Sequence, residues 1–401
     1  MGSLWDACDN ILFRDSYNPV KIAFVYDRVY PYNIGGGEKR VWELAKTLAA
    51  SGHETTILTC QMWEGASTLF RQGVSLVGVS RKSTTTSESV KRSVGDIIRF
   101  SQGLGEHLLK NSYDIVECAN FPYLSCLVAR FAQIFNRFIL VVCWFEVRGW
   151  SGWWKHRGVL GLLAATTEKL TSLVVDNHSA ISELTRRRMG GILNLNPHTI
   201  NVVACGADIK FISRFASKTK KIQLVTAGRL VTHKHVEQAI HTLCELHRSE
   251  PELRLLIIGR GPEENRLKRL VQSLNLQDCI TFTHGLSEEE LYQTYAESKI
   301  FLFPSEMEGF GIVAIEAMAA GTPVIVQQSA QSAACDLITD NQDGLLAESP
   351  EDWVTKTRSL LKDDAFYHSV RGAALKTAAA YDWPEVARRT ERYFLSLVAI
   401  K

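Results

Sequence analysis

Residues Phe301–Val326 read FLFPSEMEGFGIVAIEAMAAGTPVIV. An apolar strand, Phe301–Phe303, ends at Pro304. The loop that follows carries Glu306, Glu308, Gly309, Phe310 and Gly311. An alanine-rich apolar segment then runs to Ala320 with helical length. Gly321 closes it, and Thr322-Pro323 lead into a second apolar strand. Strand, helix and strand in one run make a parallel unit, because a parallel partner needs a crossover and the helix supplies it.

The same alternation extends in both directions. Upstream, strands Ile222–Ala227, Leu253–Ile258, Cys279–Phe282 and Lys299–Phe303 alternate with helices His235–Arg248, Pro262–Leu274, Glu288–Glu297 and Gly311–Ala320. Ser287 with Glu290 forms a capping box. Ser349-Pro350 starts a further helix with proline at its first position. Nearer the N-terminus, strand Lys21–Asp27 precedes helix Glu38–Ala50, whose Val41, Leu44, Ala45 and Leu48 share one face. Strands are expected at Thr55–Cys60, Val74–Val79, Asp114–Cys118, Phe138–Trp144, Leu173–Asp176 and Asn201–Ala204. The polar, basic Ser213–Lys221 reads as a linker.

This pattern predicts an α/β protein of two Rossmann-like, doubly wound domains facing across a cleft. The expected divisions are an extension at 1–19, an N-terminal domain at 20–210 and a C-terminal domain at 211–380. A length of 401 residues suits two domains. Hydrophobic residues at 46% and charged residues at 22% exclude a disordered or fibrous chain. The 45 basic and 43 acidic residues nearly cancel, so no nucleic-acid partner is expected. No apolar run has the length of a membrane span, and Met1–Asn10 lacks the apolar stretch of a secretory signal. Nine dispersed cysteines read as free thiols in a reducing compartment. The expected location is cytoplasmic, or peripheral at the inner face of a membrane.

Glu308 falls in the loop and Glu316 in the second helical turn, so both can face one ligand at different depths. Glycines before a helix let its free N–H groups approach an anion. A carboxylate such as Glu316 can accept from two neighbouring hydroxyls, as on a ribose.

The run SEMEGFGIVAIEAMAAGTPVIV strongly resembles the E-x7-E signature of retaining nucleotide-sugar glycosyltransferases of family 4, which have the GT-B architecture. Three further stretches carry the resemblance. Ala227–Lys234, AGRLVTHK, is similar to the family's G-R-L-x-x-x-K element, with His235 where a glycine often follows. Leu255–Pro262, LLIIGRGP, is similar to its strand and G-x-G-P, with Arg260 where an acid is common. Gly35-Gly36-Gly37 resembles its glycine loop between donor and acceptor. The usual N-G-V-D near the domain junction reads Cys205-Gly206-Ala207-Asp208. A cleft histidine common in the family is absent from Trp144–Arg148. The likeness is strong after Leu224 and looser before it.

The resemblance implies transfer of a hexose from a nucleoside diphosphate sugar, UDP-hexose ahead of GDP-mannose, to a saccharide or lipid-linked hydroxyl. Polysaccharide or glycolipid synthesis would be the setting. Arg229 and Lys234 would hold the donor diphosphate and Glu308 the transferred sugar. Glu316 would hold the ribose, and Gly259 and Gly261 would lie beside the nucleoside, with Arg260 between them at the base or phosphates. Gly36, Gly37 and the Gly309–Phe310–Gly311 amides would complete the donor site. The helix after Tyr381 would return to the N-terminal domain. His53, His156, His178, His198, His233 and His235 show no metal-ligand spacing, so neither a metal nor a cofactor beyond the co-substrate is expected. Trp144, Trp150, Trp153 and Trp154, beside Arg148, Lys155 and Arg157, form either a packed loop or an acceptor or membrane contact. Arg186–Arg188 and Arg388-Arg389 read as solvated helix faces. A sugar-nucleotide epimerase and a catalytically silent nucleotide-sugar binder of the same fold remain open.

Overall fold

A computed structural model describes residues 19–33, 35–81, 92–217 and 219–400. The extension expected at 1–19 lies outside them save for its last residue, as do Cys8 and Lys218.

The N-terminal sheet has eight strands in the order β3-β4-β2-β1-β5-β6-β7-β8. They are β1 (Lys21–Val25), β2 (Glu54–Gln61), β3 (Thr68–Arg71), β4 (Val74–Arg81), β5 (Ile115–Ala119), β6 (Ile139–Trp144), β7 (Asn177–Ala180) and β8 (Asn201–Val202). Its helices are α1 (Gly36–Ala50), α2 (Val94–Lys110), α3 (Tyr123–Phe135), α4 (Gly149–Arg157), α5 (Val159–Val174) and α6 (Glu183–Leu193). All pairings are parallel except β3 with β4. Because both faces are covered, the central strands are mostly apolar rather than alternating, with the buried Glu117 of β5 an exception.

The C-terminal sheet is wholly parallel, in the order β11-β10-β9-β12-β13-β14. Its strands are β9 (Ile222–Ala227), β10 (Leu255–Ile258), β11 (Ile280–Thr283), β12 (Ser298–Phe303), β13 (Val324–Gln327) and β14 (Leu345–Ala347). The helices are α7 (Ile209–Ile212), α8 (Val236–His247), α9 (Glu264–Ser273), α10 (Glu288–Ala296), α11 (Ile312–Ala319), α12 (Pro350–Lys362), α13 (Asp364–Ala379) and α14 (Trp383–Ile400). The capping box at Ser287 and Glu290 is formed in both directions.

One strand is displaced from its expected place. Leu173 and Val174 are the last turn of α5, and the strand is Asn177–Ala180. Its sequence, NHSA, has no apolar signature. It is held by polar partners: Trp144 Nε1 donates to His178 Nδ1 at 3.1 Å. The short edge strand β3 was also not expected.

Two chain crossings lie side by side between the domains. Ala207 bridges Asp382, and Ile209 N–H donates to Asp382 Oδ1 at 3.1 Å. A Cβ at Gly206 would come within 2.7 Å of the Trp383 ring, so the glycine admits that crossing. Asp208 caps α7 by accepting from Phe211 N–H. Beyond the crossing, α14 packs on α1, where Val386, Ala387 and Phe394 join Phe24, Trp42 and Leu44 in one buried cluster.

Candidate active site

The strand order reverses direction at β1 in one sheet and at β9 in the other, and ligands of open α/β sheets bind at such points. The loops after β1 and after β12 meet across the cleft. They enclose a cavity of about 410 Å³. From the N-terminal domain its wall includes Gly36, Gly37, Phe145 and Arg188. From the C-terminal domain it includes Lys234, Glu308 and Gly309–Val313.

The glycines at this wall serve contact across the cleft. A Cβ on Gly36 would lie 3.1 Å from Ile312 Cδ1, and one on Gly309 would lie 3.2 Å from Phe145 O. Gly311 has φ +103°, a conformation strained for any residue with a side chain. It turns the loop into α11, whose first residues, Ile312 and Val313, line the cavity. Phe310 contributes backbone, while its buried ring packs edge-on against Tyr381 at 5.7 Å.

Lys234 forms an ion pair with Glu308 at this wall. Its ammonium also lies 5.7 Å from the centroid of Phe303. Glu308 is fixed through its backbone, which exchanges hydrogen bonds with Gln331 and Ala333. His235, at the start of α8, sits at φ +45° and ψ +39°. That left-handed conformation accounts for the glycine often found there in the family. Its Nε2 pairs with Glu306 at 3.0 Å.

Glu316 lies deeper, buried on α11. Tyr292 donates its hydroxyl to Glu316 Oε1 at 3.2 Å, and Lys39 of α1 approaches that oxygen to 3.8 Å. Lys39 also donates to Glu288 at 2.8 Å and to the Tyr292 hydroxyl at 3.2 Å. Burial raises the Glu316 carboxyl from its ordinary value, and Lys39 and the Tyr292 hydrogen bond oppose it. Burial lowers the Lys39 ammonium, but Glu316, Tyr292 and Glu288 more than compensate and leave it raised.

Glu316 and the remaining expected donor residues, Arg229, Gly259 and Arg260, stand apart from this cavity wall. Arg229 and Arg260 are exposed on neighbouring strand-end loops. Gly259 and Gly261 have a packing role of their own. A Cβ on Gly259 would meet Gly228 O at 1.9 Å, and one on Gly261 would meet Leu230 O at 2.1 Å. The two loops therefore pack backbone on backbone.

Several wall residues gave no sign in the sequence. Arg92 grips Asp27 through two nitrogens and lies 5.1 Å from the Phe121 ring centroid. Phe145 stacks on Tyr26 at 5.8 Å. The Arg186–Arg188 run, read as one solvated face, divides by function. Arg186 pairs with Glu183, Arg187 reaches Asp336 of the other domain at 2.9 Å, and Arg188 faces the cavity. Arg388 and Arg389 both pair with Glu385. The tryptophans divide as well: Trp144 and Trp153 are core, while Trp150 and Trp154 are exposed.

The family profile for the glycosyl transferase 4-like domain matches residues 35–206, and that for glycosyl transferases group 1 matches residues 208–377. The chain belongs to the group 1, family 4-like glycosyltransferases. Among curated members, a D-inositol 3-phosphate glycosyltransferase of Nocardioides sp. is 27% identical over 237 residues, 53% of this chain and 51% of that protein. A sulfoquinovosyl transferase of Arabidopsis thaliana is 32% identical over 196 residues, 46% of this chain and 37% of that one. The chain thus spans about half, or less, of the length of these curated relatives. Among solved structures, sucrose-phosphate synthase of Thermosynechococcus elongatus superposes with TM-score 0.76 at 20% identity, covering 95% of this chain and 99% of that one. A UDP-glucose complex of Anabaena HepE superposes with TM-score 0.71 at 16% identity, covering 94% and 100%. The fold of this family member is GT-B.

Proposed function

We propose that this glycosyltransferase moves a hexose from a nucleoside diphosphate sugar to a hydroxyl of a saccharide or lipid-linked acceptor, with retention at the anomeric carbon. The observation that carries the reading is the Lys234–Glu308 pair, set beside the opening turn of α11 on the cavity wall. When the glycosidic bond breaks, negative charge builds on the diphosphate. A fixed ammonium and free helix amides stabilise that charge, and Arg229 adds a second cation. Glu308, relieved of Lys234 by the diphosphate, holds the sugar and supports the positive charge on its ring. Glu316 accepts from the ribose hydroxyls.

The step is a front-face displacement. The bond from the anomeric carbon to phosphate oxygen breaks, the bond to acceptor oxygen forms on the same face, and the acceptor proton passes to the leaving phosphate. The lysine, the arginine and the helix dipole supply the positive charge that a divalent metal supplies in other transferases. Gly36 and Gly37 border the acceptor side. UDP-glucose is the first donor to test, because the Anabaena relative is described in complex with it; GDP-mannose is the second. The proposed setting is cytoplasmic polysaccharide or glycolipid synthesis.

A panel of nucleoside diphosphate sugars, with chelator present, tests this directly. One donor is expected to bind and to release its diphosphate slowly, with both properties lost in Arg229→Ala and Glu316→Ala. Binding by no donor, or only with a divalent metal, would overturn the reading.

A further inference from the structure

The outer face of α5 is inverted relative to an ordinary surface helix. Its inward positions include Glu168, Thr171 and Ser172, all buried. Its outward positions are Val159, Leu162, Leu163, Leu170 and Leu173, with Thr166 the exposed polar residue among them. Leu163 is 68% exposed and Leu173 66%.

The inversion is held in place. Glu168 accepts the Tyr123 hydroxyl at 2.7 Å and the Gly149 N–H at 2.7 Å, tying α5 to the starts of α3 and α4. Arg130 of α3 donates to Val174 O at 2.7 Å and ties the far ends together. Neighbouring helices extend the apolar face. Phe131, Ile134 and Phe135 are the exposed residues of α3, and Trp150 and Trp154 stand out from α4. An exposed apolar patch of this extent marks a docking surface.

Charge identifies what docks. The stretches 123–137 and 149–174 carry Arg130, Arg137, Lys155, Arg157 and Lys169, and their one carboxylate is the buried Glu168. Leucine and phenylalanine facing outward, tryptophan at the margin and cations in excess of the one flanking exposed acid, Asp176 against Arg130, suit an anionic lipid surface. The face also adjoins the cleft. Phe145 and Glu146 line the cavity, and α4 begins three residues later at Gly149. Phe121 lines it too, and its ring stacks on Trp153 of α4 at 6.1 Å.

We infer that the face built by α3, α4 and α5 docks on an anionic bilayer and brings the acceptor side of the cleft to the lipid surface. The inference deepens the proposed transfer by assigning its acceptor to the membrane, but docking is measured without transfer.

The test is flotation of the full chain with vesicles of phosphatidylcholine alone and of phosphatidylcholine mixed with phosphatidylglycerol. Wild type is expected to float with the mixed vesicles, less at high salt, and weakly with phosphatidylcholine. The double variant Leu163→Glu, Leu173→Glu should lower binding at least about tenfold. Lys155→Glu should weaken binding to the mixed vesicles alone. Tryptophan emission of the wild type, shifted to shorter wavelength by mixed vesicles, reads docking of Trp150 and Trp154 without any substitution. Absence of flotation together with an unshifted emission overturns the proposal. So does concentration-dependent self-association that the double variant abolishes, which would assign the face to a second copy of the chain. Slow donor hydrolysis by the vesicle-free chain reports the donor site separately, so failure of docking and failure of the transferase reading are told apart.

Discussion

Lys39 and Glu316 come from opposite domains, yet the lysine nitrogen stands 3.8 Å from the glutamate oxygen. The pair places a cation from the acceptor domain against the carboxylate proposed to hold the donor ribose. Burial raises the Glu316 carboxyl and Lys39 counters it. Only the ionised carboxylate accepts from two hydroxyls, so donor binding weakens as pH falls through the raised value. The acid limb of affinity should therefore lie above that of an unperturbed glutamate. In Lys39→Met the countering charge is gone, and the limb should move to higher pH. Calorimetric titration with the bound donor across pH checks this; an unmoved limb would show that Lys39 does not act on Glu316.

Lys234 and Glu308 should separate binding from chemistry. Removing a charge that stabilises the leaving group costs roughly 10²–10³ in rate for one donor group of this kind. Lys234→Ala is expected to slow diphosphate release by that order. Glu308→Gln keeps the shape of the site and should slow release while leaving donor affinity within a few-fold. Single-turnover release and equilibrium binding, measured on both variants, make the comparison.

Arg40 and Glu117 form a fully enclosed ion pair at 2.8 Å, with exposures of 0% and 2%. Among the described residues, Arg40 Nε and Nη2 and Glu117 Oε2 find no further partner. Glu117→Ala leaves a buried cation and should cost about 3–5 kcal/mol. Arg40→Met combined with Glu117→Leu should recover most of that loss, because the isolated charge is removed. Urea unfolding of the three chains is the measurement.

His235 offers a smaller test of backbone strain. His235→Ala and His235→Gly both lose the half-exposed contact with Glu306 and differ mainly in tolerance of φ +45°. The glycine variant should be the more stable by about 1 kcal/mol. Equal melting of the two would mean that the loop relaxes out of the left-handed conformation when the imidazole is gone.

The legible and the hidden parts of the molecule differ in range. Strand β12, the loop at Glu308 and α11 were readable because an apolar strand, a glycine turn and a helix follow one another in the chain. The Ser287 cap was readable because its partner is three residues away. Lys39 was not, because Glu288, Tyr292 and Glu316 are distant in sequence and meet it only when the domains face each other. Arg188 was hidden for a geometric reason: three consecutive helical residues point in three directions, so a charge run does not say which member faces a cleft. Strand β7 was hidden because Asn177, His178 and Ser179 are polar and offer no apolar pattern, Asn177 donating to Leu140 O and His178 accepting from Trp144. The neighbouring Leu173 and Val174 imitated a strand because α5 turns leucines outward.

The most direct test of the donor site uses the nucleoside diphosphate alone. UDP and GDP are titrated into the chain with chelator present, alongside the monophosphates, for wild type and Lys234→Ala. One diphosphate should bind wild type without metal, and Lys234→Ala should weaken it at least about tenfold while changing monophosphate binding little. Diphosphate binding that needs a divalent metal, or that Lys234→Ala leaves unchanged, would contradict the placement of the leaving group at Lys234 and Glu308.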